Sequence, residues 1–208
     1  MTDRPTGAAT RSLPLTLFVM AATVEIVAVA AGITWLQWIA KPLLAPLLIG
    51  HLLQHRKPDL VVVALGFATL GDVALLVPGE VAFLIGMGFF LGAQICLIVA
   101  FLKRARPRPV PVAVFALLWV PANVVLGDEL GALRVPVLLY SLALTSMAAA
   151  AAGVNRLVAA GGVLFLISDL LIGLDAAGTT VPGHGVLVMG TYAAALALIT
   201  VGWLRPRA

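Results

Sequence analysis

The sequence predicts an all-α fold, a polytopic membrane helical bundle of about eight transmembrane helices, and three observations carry that reading. Hydrophobic residues make up 62% of the chain and charged residues only 11%, against roughly 25% charged in a soluble domain. Apolar runs recur at the roughly 20-residue length that crosses about 30 Å of hydrocarbon. Once eight spans are drawn through those runs, the basic residues fall almost wholly on one side.

Taken in order, the first run starts at Leu13, behind a short polar start carrying Arg4 and Arg11. Glu25 sits within it, and no small-residue cleavage site follows, so it reads as a retained span and not as a cleaved signal. The spans cover about 13–32, 35–54, 59–77, 80–102, 110–127, 133–152, 157–175 and 184–204. HRKPD closes the second, VPGE turns the third into the fourth, and KRARPRPVP separates the fourth from the fifth. GDELG, GVNR and DAAGTTVPGHG mark the later turns with the Gly, Pro, Asn and Asp expected there. The chain thus reads as one integral membrane domain over 1–208, with short tails at 1–12 and 205–208.

An even number of spans puts both termini on one side. That side receives Arg4, Arg11, Arg56, Lys57, Lys103, Arg104, Arg106, Arg108, Arg156, Arg205 and Arg207, while the opposite side receives Arg134. The bias predicts cytoplasmic termini, in a bacterial plasma membrane to judge from the Ala-, Gly- and Arg-rich composition. The net charge of +4 is therefore a topology signal. No nucleic-acid partner is implied, because the basic residues occupy short loops against the membrane. The single cysteine, Cys96, excludes an internal disulfide and a cysteine metal cluster. His51, His55 and His184 lie near span ends in no ligand spacing, and no phosphate-loop or dinucleotide fingerprint occurs. No metal or cofactor is expected, and the oligomeric state is left open.

The third and seventh spans align without a gap. Leu60 and Val61 match Leu157 and Val158, and Asp72 matches Asp169, 97 residues on. Equivalent helices then run in the same direction, as in a weak parallel internal repeat. Both aspartates fall near the outer ends of outward-running helices, Asp72 about 6–8 Å inside. Other polar residues join that outer half: Glu25, Lys41 and Asn123, with Gln94 and Tyr140 nearer mid-membrane and Tyr192 in the last span. A charge facing lipid costs several kcal/mol, so these groups should face the bundle interior, a partner or a wet cavity. Structural readings stand beside the functional ones: a Glu25–Lys41 ion pair, and interhelical ties for Asn123 and Gln94. Glu80, after a Pro-Gly turn, reads as a helix cap at the interface. Gly86, Gly88, Gly161 and Gly162 read as points of close helix packing.

The chain resembles the YhhN/TMEM86 family of multi-spanning membrane proteins, whose characterised animal members are lysoplasmalogenases. The likeness runs through KPLLAPLLI (Lys41 to Ile49), LGDVALL (Leu70 to Leu76), FLIGMGFFLGAQICLIVAF (Phe83 to Phe101), GGVLFLISDLLIGL (Gly161 to Leu174) and the Tyr192 region. The resemblance implies Asp72 and Asp169 as the catalytic acidic pair, and Lys41 as the lysine of the family's Lys-Pro motif. Lys41, Glu25, Gln94, Asn123, Tyr140 and Tyr192 are the expected substrate-binding groups. Two positions depart from the pattern: Gln94 stands where members commonly carry histidine, and Ala195 where a glutamine is common. Glutamine can hydrogen-bond but cannot shuttle a proton near neutrality.

The chemistry implied is hydrolysis of the vinyl ether of a lysoplasmalogen, or of a related lyso-ether lipid, to a fatty aldehyde and a glycerophospho head group. A vinyl ether is attacked first by a proton at its electron-rich β-carbon, and the resulting oxocarbenium ion then takes up water. One protonated acid and one ionised carboxylate in unequal surroundings suffice for both steps. The implied partner is a lipid substrate of the lysophospholipid class. Two other readings stay open: a proton-coupled membrane transporter of a small or amphipathic molecule, and a nonenzymatic membrane protein whose polar residues tie helices together.

Overall fold

The computed structural model describes residues 12–126, 134–179 and 181–206, the side chains at 122, 123, 125 and 126 excepted. Among the described residues there are eight helices: α1 (Leu13–Ala31), α2 (Thr34–His55), α3 (Leu60–Leu76), α4 (Glu80–Arg104), α5 (Pro109–Leu126), α6 (Arg134–Val154), α7 (Arg156–Ala176) and α8 (His184–Leu204). Each expected span is one helix, with ends that differ by about two residues. The shortest break, AAGITW, turns at Gly32, whose φ of 69° is the left-handed conformation that glycine adopts without a Cβ clash. Six helices are long and apolar enough to cross a membrane. The other two, α3 and α5, are apolar but shorter, α3 having 17 residues. At 1.5 Å per residue α3 spans about 26 Å. The helices are those of a multi-pass membrane protein.

Burial follows the inverted pattern of such a bundle. Large apolar side chains point outward, with Leu117 73% and Trp35 67% exposed, whereas Glu25, Asp72 and Gln94 are buried. Leu44, Leu48, Phe101, Phe165 and Ile199 fill the interior around them.

The packing repeats between the two halves, except that α1 also packs on α8. In the first half α1 packs on α2, α2 on α3 and α3 on α4; in the second, α5 packs on α6, α6 on α7 and α7 on α8. The halves join reciprocally, α4 against α6 and α8 against α2. Small residues draw the equivalent pairs together. A Cβ on Gly71 of α3 would stand 2.7 Å from the Phe90 ring of α4, and one on Gly161 of α7 would stand 2.9 Å from the Ala195 carbonyl of α8. Gly86 and Gly162 are also tight, against Leu75 and Ala151. Gly88 departs from the expected packing role, since a Cβ there would meet nothing within 4 Å.

Matching caps start the two aspartate helices. Asp59 accepts from Val61 N–H at 3.0 Å and Val62 N–H at 3.4 Å, and Asn155 accepts from Leu157 and Val158 N–H, both at 3.0 Å. Both caps are tied to the end of α8. Trp203 Nε1 donates to Asp59 at 2.7 Å, and Asn155 Nδ2 donates to the Gly202 carbonyl at 2.9 Å. Arg104 and Arg56 lie over the Trp203 ring, 4.4 and 5.6 Å from its centroid. This clamp fixes the helices at the basic end, so that their far ends present Asp72 and Asp169 in register. Glu80 differs from expectation: it is exposed in the first turn of α4, where Gly79 is the N-cap and, among the described residues, no side chain caps the helix.

Candidate active site

Counting from the ends of their helices, the polar residues share one layer at the end opposite the clamp. Asp72, Glu25, Tyr140, Lys41, Asp169 and Tyr192 lie about 6–12 Å inside the ends of α3, α1, α6, α2, α7 and α8. Gln94 lies deeper along α4, a 25-residue helix that extends further at this end.

Each aspartate has its own tyrosine, drawn from a different helix. Tyr192 on α8 donates its hydroxyl to Asp72 Oδ2 at 2.7 Å, and both side chains are buried. Tyr140 on α6 donates to Asp169 Oδ2, and Gln94 Nε2 on α4 donates to the same oxygen at 3.4 Å. Asp72 of the first half is thus held from α8 in the second, and Asp169 of the second half is reached from α4 in the first. The two carboxylates lie within electrostatic range of one another.

Their surroundings differ. Asp72 is 1% exposed and lies within coulombic range of Lys41 and Glu25. Asp169 is only partly buried because it looks into a cavity of about 310 Å³ between α3, α4, α5, α6 and α7. Leu75, Phe83, Trp119, Leu144 and Leu166 make the cavity wall mainly apolar, and Tyr140 and Asp169 supply polar groups at its edge. Trp119 is itself held by a 3.0 Å hydrogen bond from its Nε1 to the Ser141 hydroxyl. Three rings pack edge to face beneath the carboxylates. Phe90 and Phe165 each have centroids 5.8 Å from Tyr192, and they stand 6.2 Å from each other. This packing fixes the Tyr192 ring and hence the direction of its hydroxyl.

Lys41 is half-buried on α2, followed at once by Pro42. It is within coulombic range of both Glu25 and Asp72, but among the described residues neither acid closes an ion pair with it. The expected structural Glu25–Lys41 pair is therefore open. Glu25 is 1% exposed, and among the described residues neither of its carboxylate oxygens has a hydrogen-bond partner. The side chain of Asn123 lies outside the described residues. Of the histidines, His51 bonds Ser12 at the clamp end, and His184 Nε2 meets the Leu171 carbonyl at 3.1 Å. The first is remote from the aspartates, and the second is engaged at a helix end.

The sequence reading passed over Phe90, Phe165 and Trp119. Two of them had a signal: Phe90 stands four residues before Gln94, and Phe165 four before Asp169. That spacing puts each aromatic on the face of its helix that carries the polar group. Trp119 had none, because α5 is apolar on every side.

The arrangement can do acid–base work on an amphipathic molecule. It offers an apolar cavity with one carboxylate, Asp169, in its lining, a second, Asp72, buried within electrostatic range of the first, and a lysine in range of Asp72. The model of the YhhN family matches residues 36–203 of the chain. No curated protein and no solved structure matches it.

Proposed function

The chain belongs to the YhhN family, and from that footing we propose that it hydrolyses the vinyl ether of a lysoplasmalogen or related lyso-ether lipid. The observation that carries this reading is the pair of aspartates, each held by its own tyrosine, with Asp169 and Tyr140 in the lining of an apolar cavity. The eleven-to-one bias of basic residues supports cytoplasmic termini and a site in the outer half of a bacterial plasma membrane.

The unequal neighbours divide the roles. Two close carboxylates do not both ionise readily, and the one nearer a cation keeps the charge. On this reading Asp72, in range of Lys41, serves as the carboxylate and Asp169, at the apolar cavity, as the acid. Among the described residues both donors to Asp169 converge on Oδ2, which on this reading leaves Oδ1 to carry the proton. The lipid chain occupies the cavity, which sets the β-carbon of the vinyl ether beside Asp169 and the ether oxygen toward Asp72.

Asp169 gives its proton to the β-carbon, and the oxocarbenium ion forms next to the Asp72 carboxylate. Asp72 takes a proton from water as the water oxygen bonds to the first carbon, giving a hemiacetal. In the collapse, Asp169 removes the hemiacetal hydroxyl proton and the carbon–oxygen bond to glycerol breaks. The glycerol oxygen then takes the proton held by Asp72. One water is consumed, an aldehyde and a glycerophospho head group are released, and both acids return to their starting states. Lys41, in the same layer, holds the phosphate.

The test is aldehyde release by purified protein from lyso-lipids that differ only in the first-carbon linkage. Aldehyde from the vinyl ether, with none from the saturated ether or the ester, is the expected result. If no lipid yields aldehyde and the intact molecule accumulates in proteoliposomes, the protein is a carrier and the hydrolase reading fails.

A further inference from the structure

Glu25 has no part in the reaction just described, and its position is costly. It is 1% exposed within a membrane helix, and among the described residues both carboxylate oxygens lack a hydrogen-bond partner. A buried acceptor left unfilled forfeits its hydration without return, and an ionisable residue inside a membrane marks a binding site or a pathway. Lys41, within coulombic range, does not close on it. A structural pair would fill those acceptors. An acid kept ready for a cation that arrives with a ligand would leave them open.

Helix packing sets an order among the polar groups of this layer. Asp169 lines the apolar cavity; Asp72 stands on α3, whose Leu75 also lines it; α2, with Lys41, packs on α3; and α1, with Glu25, packs on α2. A molecule with its chain in the cavity and its linkage at the aspartates reaches a cation next, and beside it an anion. That sequence of charges complements a zwitterion in which phosphate is followed by an ammonium.

We propose that Glu25 binds the ammonium of a zwitterionic lysolipid head group, beside a phosphate held by Lys41, and so sets the protein's head-group preference. The inference rests on the lipid reading above, but not on its chemistry. Glu25 precedes the segment matched by the family model, which starts at residue 36.

The experiment measures binding and needs no turnover. Full-length protein in nanodiscs of neutral lipid is titrated with saturated 1-O-alkyl lysolipids of one chain length, bearing either phosphoethanolamine or phosphoglycerol. Tryptophan fluorescence gives the readout, since Trp119 lines the cavity. The wild-type protein should bind the ethanolamine lipid about tenfold more tightly, the scale of one charge-assisted contact. Glu25→Gln, which keeps shape and removes charge, should abolish that preference and leave glycerol-lipid affinity within about twofold. Equal binding of the two lipids by wild type, or an undiminished preference in Glu25→Gln, overturns the proposal. If Glu25→Gln does not fold, Glu25→Asp is read instead: its shorter reach must reduce the preference, and an unchanged preference overturns the assignment. Binding of neither lipid refutes the lipid reading as well. Displacement by free phosphoethanolamine at equal concentration identifies a soluble amine as the ligand, and the lipid head group is then wrong. Binding with the expected preference but no aldehyde release in the linkage assay leaves Glu25 in place and removes only the chemistry.

Discussion

Replacing Tyr192 by phenylalanine separates positioning from packing at Asp72. The change removes one oxygen and keeps the ring, so both 5.8 Å edge-to-face contacts to Phe90 and Phe165 survive. What is lost is the 2.7 Å hydrogen bond to Asp72 Oδ2 between two buried groups. A hydrogen bond to a charged group contributes about 1.5–3 kcal/mol. Between helices in a membrane the measured stability contribution is smaller, about 0.6 kcal/mol on average and at most about 1.7, because the unfolded chain finds other partners. The two magnitudes fall on different observables. Thermal stability in detergent should drop by about 1 kcal/mol. The chemical step, which finds no substitute partner, should lose the larger amount, a fall in kcat of about 10- to 100-fold.

The assay is single-turnover aldehyde release by Tyr192→Phe and by wild type, with KM measured alongside. A positioning role predicts reduced kcat and KM within about twofold, because Tyr192 orients the carboxylate and is not asked to hold the lipid. A purely structural bond predicts loss of folded protein and kcat unchanged per folded molecule. Tyr192→Phe with wild-type kcat and wild-type stability would refute the view that this bond aims Asp72.

Four further outcomes are expected. Asp72→Asn and Asp169→Asn should each lower turnover by about 10²- to 10⁴-fold, the range for a lost general acid or base, with folded yield read by gel filtration; full turnover in either removes that residue from the chemistry. Lys41→Met should raise KM for phosphate-bearing lipids more than for a phosphate-free analogue, and equal damage to both would make the lysine structural. Gly161→Ala puts a Cβ 2.7 Å from Ile199 and 2.9 Å from the Ala195 carbonyl, so overpacking should cost about 1–3 kcal/mol in thermal unfolding; Gly88→Ala, with open space around it, should be neutral. Reporter fusions after Arg207 and within 127–131 should report opposite sides of the membrane, and agreement between them would break the eight-span topology.

The helices were legible because each apolar run has membrane length and each break carries Gly, Pro or an acid. The polar layer was legible for a related reason, since span parity sets helix direction and direction converts residue number into depth. Rotation about each helix axis was not legible. A helix such as α7, apolar on nearly every face, gives no amphipathic stripe to say which side looks inward. Hence the pairing of Tyr192 with Asp72 and of Tyr140 with Asp169 needed coordinates, although all four residues stood out in the sequence. The caps at Asp59 and Asn155 were readable as turn residues, yet their ties to α8 depend on where its last turn falls. The cavity was hidden altogether, because it is space left between five helices and no single stretch of chain encodes it.

The repeat also explains how two equivalent aspartates come to differ. Asp72 and Asp169 occupy matching positions on matching helices, so the frame alone would give them the same surroundings and the same proton affinity. The partners break that equality. The 97-residue shift that maps Asp72 onto Asp169 maps Lys41 onto Leu138 and Glu25 onto Ala122, so both charges beside the first aspartate become apolar residues in the second half. It maps Tyr140 back onto Leu43 and Tyr192 back onto Ile95, so neither tyrosine has a counterpart. On the proposed reading this loss of symmetry makes a catalyst from a duplicated frame. Duplication brings two carboxylates to one depth, and the unshared lysine holds one of them ionised while the cavity keeps the other for the proton. Restoring symmetry should therefore damage chemistry more than folding. Lys41→Leu makes the first half match the second at that position, and it should suppress turnover further than its loss of phosphate affinity accounts for. Single-turnover rates at saturating lipid check this. A rate equal to wild type once the site is filled would mean that Lys41 only binds substrate and that the two aspartates are told apart by something else.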